Sequence, residues 1–372
     1  MRLFVFGSSI TSTYWNGAAT YYRGIYKNLT HLGYRVTFAE PDAYGRIQKR
    51  DMETLGEIEI RSYQSPRDIP ELLSEATKAD LVIKHSGVGV DDEMLEEQVL
   101  RCQSSGTKVI FWDVDAPATL SRVEANNRDP FRSLIARYDF VLTYGGGLPI
   151  VRRYLALGAK ACYPIYNAVD PETHFRVEAN SDLRCDLVFV GHRLPDREQR
   201  VEDFFLRAAK LAPDLHFILG GEGWADKSLP GNVRWIGHVP SGLHNTVNSS
   251  ARAVLNINRD SMAETGFSPP TRVFEAAGAQ ACVITDAWQG VEEFFTPGRE
   301  ILIAHNAEEI VDLLGRVAEP AARDIGSRMH QRALKQHTYK LRAAELHEIL
   351  KSHLSQTAPL GTTAAPSPVV NA

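Results

Sequence analysis

Short β-branched and aromatic runs recur along the chain, separated by longer stretches in which apolar residues return every three or four positions. RLFVF (2–6), YRVTF (34–38), DLVIK (80–84), KVIFW (108–112) and DFVLT (139–143) read as strands. Between them lie amphipathic segments such as AATYYRGIYKNLTHLG and DDEMLEEQVLRCQSSG, closing on Gly33 and Gly106 as helix C-caps. A second alternating series follows: CDLVFV (185–190), LHFIL (215–219), NVRWI (232–236), AVLNI (253–257), ACVIT (281–285) and EILIA (300–304). Strands that alternate with helices in this way signal parallel βαβ units.

The stretch between the two series, 167–184, has no clear period and many turn formers, so it reads as a connector. The pattern predicts an α/β protein of two doubly wound, Rossmann-like domains, 1–175 and 183–355, facing a central cleft. From 357 to 372, TAPLGTTAAPSPVVNA is rich in Pro, Ala and Thr and reads as a disordered tail. A length of 372 residues suits two domains of roughly 150–180 residues each.

Composition narrows the classes. With 44% hydrophobic and 23% charged residues and a net charge of −5, the chain has no general pull toward nucleic acid or anionic membrane. An anionic ligand must therefore meet local basic residues. Cys102, Cys162, Cys185 and Cys282 are scattered, without a CxxC pair, and are expected as buried thiols; neither a disulfide framework nor a zinc site is indicated. No apolar run reaches the ~18 residues of a membrane span. MRLFVFGSS turns at Gly7 without the longer apolar core of a signal peptide, so a cytoplasmic location is expected.

Candidate chemistry gathers where strands end. LVFVGHRLPDR leaves its strand at Gly191 and offers Arg193 and Arg197 as a helix begins, suited either to a pyrophosphate or to an ordinary solvated loop. HFILGGEGW ends on Gly220 and Gly221, common turn chemistry. NVRWIGHVP places His238 at a strand end, where a lone histidine is more often structural. In FSPPTRVFEAAGAQACVITD (267–286), Ser268 reads as an N-cap and Pro269 as the first helical residue. Arg272 then lies in the first turn and Glu275 one turn on. An Arg preceding a Glu is the poorer order for an i,i+3 pair and for the helix dipole. A bound anion beside Arg272 and a diol beside Glu275 explain that order better than surface decoration. In the first half, GSSITSTYWNGAATYYRG enters a helix near Asn16–Gly17, facing the cleft or merely capping the helix. KHSGVG offers His85. FWDVDAPATL offers Asp113 and Asp115, whose D-x-D spacing fits a divalent cation, a substrate hydroxyl or a simple turn before Pro117.

Across these segments the chain resembles the CgeB-like (spore maturation protein) branch of the GT-B glycosyltransferases, related to glycosyltransferase family 4. The stretches that carry the resemblance are NGAATYYRG, FWDVDAPATL, PIYNAVDPETHF, VGHRLPDR, LNINRDSMAETGFSPPTRVFEAAGA and ITDAWQGVEEFFTPGREILIA. It implies a nucleoside diphosphate sugar in the C-terminal domain and an acceptor of unknown identity held mainly by the N-terminal domain. By this resemblance Glu275 takes the donor ribose hydroxyls and Arg193, Arg197 and Arg272 the diphosphate. Gly191, Gly220, Gly221, His238 and Ser268 line the nucleotide site, and Asn16, Gly17, His85, Asp113 and Asp115 the acceptor side. Catalysis then rests on Arg272 and Arg193, with no metal or other cofactor. In a retaining reaction the leaving phosphate takes the acceptor proton. In an inverting one His85, Asp113 or Asp115 is the expected base. Family 4 enzymes carry a second glutamate eight residues before the first, where this chain has Phe267; the nearest acid is Glu264, eleven before. The same fold also hosts epimerases, phosphorylases and non-catalytic binding proteins, and those remain the rival classes.

Overall fold

The computed structural model describes residues 1–354. The tail expected at 357–372 lies outside the described residues. Among the described residues thirteen strands form two parallel sheets. The first holds β1 (Arg2–Phe6), β2 (Arg35–Pro41), β3 (Glu59–Tyr63), β4 (Leu81–His85), β5 (Lys108–Asp113), β6 (Val141–Thr143) and β7 (Cys162–Pro164), in the order β3-β2-β1-β4-β5-β6-β7. The second holds β8 (Cys185–Val190), β9 (Phe217–Gly220), β10 (Val233–Trp235), β11 (Ala251–Asn256), β12 (Cys282–Asp286) and β13 (Leu302–Ala304), in the order β10-β9-β8-β11-β12-β13. This is the doubly wound α/β architecture expected from the pattern.

The runs are apolar throughout because both faces of each sheet are covered. Along β1, Leu3 and Val5 join the core under the Ala19–His31 helix, while Phe4 and Phe6 join the opposite one. Along β8, Leu187 and Phe189 face one core and Val188 the other. Two strands were not anticipated. β3 carries Glu59, Arg61 and Ser62 at a sheet edge, and β7 is three residues long, so neither has an apolar run to announce it.

In each sheet the strand order reverses once, between β1 and β4 and between β8 and β11. Crevices open at such reversals, beyond the carboxyl ends of the strands. The chain then crosses back. The Glu319–Gln336 helix packs on the second sheet through Met329 and Ala333. Next, Val169 N donates to His337 O (2.8 Å) and Tyr339 N to Val169 O (3.1 Å), pairing the connector with the returning chain. The final Tyr339–Leu354 helix buries Tyr339, Ala343, Leu346 and Leu350 in the first domain's core. All four cysteines are free thiols; Cys102, Cys162 and Cys282 are buried as expected, whereas Cys185, at the start of β8, is only partly buried.

Candidate functional site

A cavity of about 380 Å³ lies between the two sheets, at both strand-order reversals. From the first sheet it receives the loop after β1, Arg46 and Asp115. From the second it receives the loops after β8, β9 and β11 and the Thr271–Gly278 helix.

The loop after β1 is held from below. Buried Glu40 on β2 accepts from Ser9 Oγ (2.9 Å), Ile10 N (2.7 Å), Thr11 N (3.2 Å) and Thr11 Oγ1 (2.6 Å). Asn16 ties the loop to itself, donating to Ser9 O at 2.6 Å and Ser12 O at 3.1 Å. Its neighbour Trp15, with φ at +49°, stacks on His192 of the opposite domain, ring centroids 4.6 Å apart. His192 in turn stacks on His238 at 6.1 Å. Burial and the neighbouring His238 push the His192 imidazole down to about 4, so this stack is neutral.

The Thr271–Gly278 helix starts two residues later than its sequence suggested. Pro270 disfavours helical geometry at Pro269, so the extended Pro270 is the residue before the helix. Ser268 is therefore no cap: it is buried beside Gly145, its Oγ without a partner. Arg272 still falls in the first turn. Its Nε donates to Val190 O (2.6 Å), its Nη1 to Asn256 Oδ1 (2.9 Å), and its guanidinium covers the Phe189 ring at 4.9 Å. Arg197 donates Nη2 to His192 O (2.5 Å), while its buried Nε has no partner. Burial, then Arg272 and Arg259, bring the Arg197 guanidinium down to about 9, still charged at neutral pH. Gly191 lies under both arginines: a Cβ there would sit 2.9 Å from Arg197 Nη2 and 3.0 Å from Arg272 Nη2.

Glu275 is buried in the same cavity. His244 Nδ1 lies 3.3 Å from its Oε2 and His174 Nε2 4.0 Å from its Oε1. Burial favours the neutral acid, but His244, then His174 and Arg272, outweigh it and hold the carboxyl down to about 2. These three side chains bring one ligand-type atom each within 4.8 Å of one another; His244 is the nearer partner of the carboxylate, at 3.3 Å, and His174 stands at 4.0 Å.

Of the expected residues, Asn16, Gly17, Asp115, Gly191, Arg197, Gly221, His238, Arg272 and Glu275 line the cavity. Others do not. Arg193 turns outward to Asp226 Oδ1 (2.8 Å) and Glu198 Oε1 (2.7 Å). Gly220 is buried at the end of β9, and Ser268 lies as described above. His85 is fully buried between Tyr22 and Trp112, its Nε2 paired with the Tyr26 hydroxyl at 2.5 Å. Asp113 is fully buried and accepts from Ser86 Oγ (2.6 Å), Thr119 Oγ1 (3.1 Å), Asp115 N (2.9 Å) and the Tyr154 hydroxyl. The D-x-D spacing thus splits: one acid braces a turn, the other reaches the cleft and pairs with Arg259 of the second domain. Phe267, with φ at +48°, packs on Gly290 and Gly147 and bridges the domains through Gly146 N to Phe267 O at 2.8 Å. Glu264 is exposed outside the cavity and supplies no second carboxylate. The sequence reading missed Trp15, Arg46, His192, His244 and Arg259, which enter from separate segments with no shared motif.

Residues 197–348 match a family model described as glycosyl transferase-like, which bears out the enzyme class expected from the sequence. Solved structures share the fold over nearly the whole chain. HepE of Anabaena, crystallised with UDP-glucose, is 13% identical with a TM-score of 0.70, covering 95% of this chain and 100% of that one. A sucrose-phosphate synthase from Thermosynechococcus elongatus is 14% identical, with a TM-score of 0.67, covering 96% and 100%. The BGT enzyme of phage T4, in complex with its UDP-glucose substrate, is 12% identical with a TM-score of 0.59, covering 95% and 99%. The fold is that of the GT-B glycosyltransferases. No curated protein matches the chain by sequence. Among the described residues no helix is long and apolar enough to cross a membrane.

Proposed function

We propose that this glycosyl transferase-like protein moves a sugar from a nucleoside diphosphate donor, held against the second sheet, to an acceptor approaching from the first. The observation that carries the reading is the pairing, within one cavity, of a buried carboxylate and a first-turn arginine on one helix, with Arg197 alongside. Glu275 accepts the ribose hydroxyls. Arg272, Arg197 and the helix N-terminus meet the diphosphate, whose charge grows as the glycosidic bond breaks. Arg46 adds positive charge around the same space, while Arg259 is paired with Asp115 and Asp196, and the reading asks for no metal. Similarly folded proteins bind UDP-glucose, which makes a uridine diphosphate sugar the first donor to try.

The acceptor proton has few side-chain destinations. His85 and Asp113 lie outside the cavity, and Asp115 is engaged by Arg259. This favours a retaining course in which the departing phosphate takes the proton. The finer CgeB-like assignment rests on the quoted sequence stretches, and the division at 1–175 and 183–355 on the two sheets. The test is UDP release by the full chain from UDP-glucose and other UDP-sugars, with and without candidate acceptors. Arg272→Ala should lower donor affinity and turnover by about tenfold or more, the effect of losing a charge-assisted hydrogen bond. Unchanged affinity and rate in that variant would remove the assignment.

A further inference from the structure

His244 enters the cavity from the Ser241–Ser250 helix, and both of its ring nitrogens face acceptors. Nδ1 lies 3.3 Å from Glu275 Oε2, and Nε2 lies 3.2 Å from the carbonyl oxygen of Val239. A neutral imidazole has one N–H and one lone pair, so either tautomer would set a lone pair against an oxygen. Only the imidazolium satisfies both contacts. His174, on the far side of Glu275, differs: its Nδ1 is buried without a partner and its Nε2 lies 4.0 Å from Oε1.

We propose that His244 is a positioning residue held as an imidazolium, which locks the Glu275 carboxylate for a vicinal diol and makes nucleotide affinity fall as the solution becomes alkaline. The diol rests on the donor reading above; the charged clamp does not. Other groups facing the pair are His174 from the connector, with Asp170 beside it, Arg272 from Glu275's own helix, and Arg23 and Tyr339 from the helices packed behind. His192 and His238 face His244 from loops of its own sheet, and Asp51 from the opposite one. Burial opposes the charge on His244, Glu275 outweighs it, and the imidazole is raised above its ordinary 6.5; His174 and His238 are both lowered, so neither duplicates it.

Imidazole ¹H–¹⁵N spectra of the full chain, with His244→Gln for assignment, read the clamp without any ligand. The expected result is two N–H groups on His244 at pH 7.5, lost only at higher pH and lost early in Glu275→Gln. A single-proton tautomer of His244 at pH 7 would overturn the proposal. Calorimetry with UDP from pH 7 to 9.5 reads the consequence. The wild-type dissociation constant should rise about tenfold across the range, while that of His244→Gln starts weaker and stays flat. Equal slopes in the two proteins would also overturn it. Absence of UDP binding at every pH, with the imidazolium present in the spectra, would instead count against the donor reading and against the coupling to affinity, leaving only the clamp.

Discussion

At the residue scale, Glu275 and Gly191 carry the sharpest consequences. Glu275 is held down to about 2 from its ordinary 4.5, so its pairing adds stability that is fully present above about pH 4.5 and lost as pH falls toward 2. His244 works in the opposite sense: raised above 6.5, it adds stability present below that pH and lost as pH climbs through its folded value. Unfolding by urea between pH 3 and 9 should therefore show weakening at both ends. Glu275→Gln should make both limbs shallower and cost of order 3 kcal/mol near neutrality, the toll of breaking one side of a buried pair. At Gly191, an added methyl meets first the tips of Arg197 and Arg272 and the Phe189 ring. Gly191→Ala should thus weaken UDP binding several-fold and, because the buried Phe189 ring must also give way, lower the melting temperature, as calorimetry and thermal unfolding can read.

At the scale of elements, the loop after β1 and the last helix answer to different forces. The loop is polar, braced by Glu40 and Asn16, and offers Trp15 to His192 across the cleft. Such ring contacts are worth about 0.5–1.5 kcal/mol beyond burial. Trp15→Ala should raise the donor Michaelis constant several-fold with the melting temperature nearly unchanged, seen in steady-state kinetics beside a thermal scan. The last helix depends on close approach. A Cβ on Gly24 would lie 2.1 Å from the Tyr339 ring, so only glycine lets the Ala19–His31 helix seat that ring. Gly24→Ala should destabilise the fold by about 1–3 kcal/mol, the usual penalty of overpacking, measured as a lowered urea midpoint.

For the molecule as a whole, the cavity belongs to neither sheet alone. Asp115 and Arg259 pair across it, and the Val169–Tyr339 crossing links connector to returning chain. A ligand bound by both sides should stabilise the entire chain through mass action. UDP at a hundred times its dissociation constant should add about 2.7 kcal/mol, read as a concentration-dependent rise in melting temperature. High salt should erode that rise, because the Arg259–Asp115 pair is only partly buried and the proposed ligand is anionic.

Much of this architecture was legible along the chain because fully buried parallel strands must be apolar at nearly every position. The alternation of such runs with amphipathic segments announced eleven of the thirteen strands; the polar edge β3 and the short β7 lacked the signal. Arg272, Glu275, Arg197, Gly191 and Asp115 were likewise marked by their places just beyond strands or at a helix start. Tertiary structure decided the rest. The identical triplet position of Asp113 and Asp115 hides opposite fates, one acid beneath a turn and one in the cleft. Arg193 and Arg197 sit four apart, yet one pairs with Asp226 at the surface while the other is buried beside Arg272. His244 gains its meaning only from Val239 and Glu275, one five residues before and the other thirty-one after it. Local pattern dictates which face of an element is buried. Which charges meet inside a cleft depends on how distant elements are brought together, and that is written in no single stretch of chain.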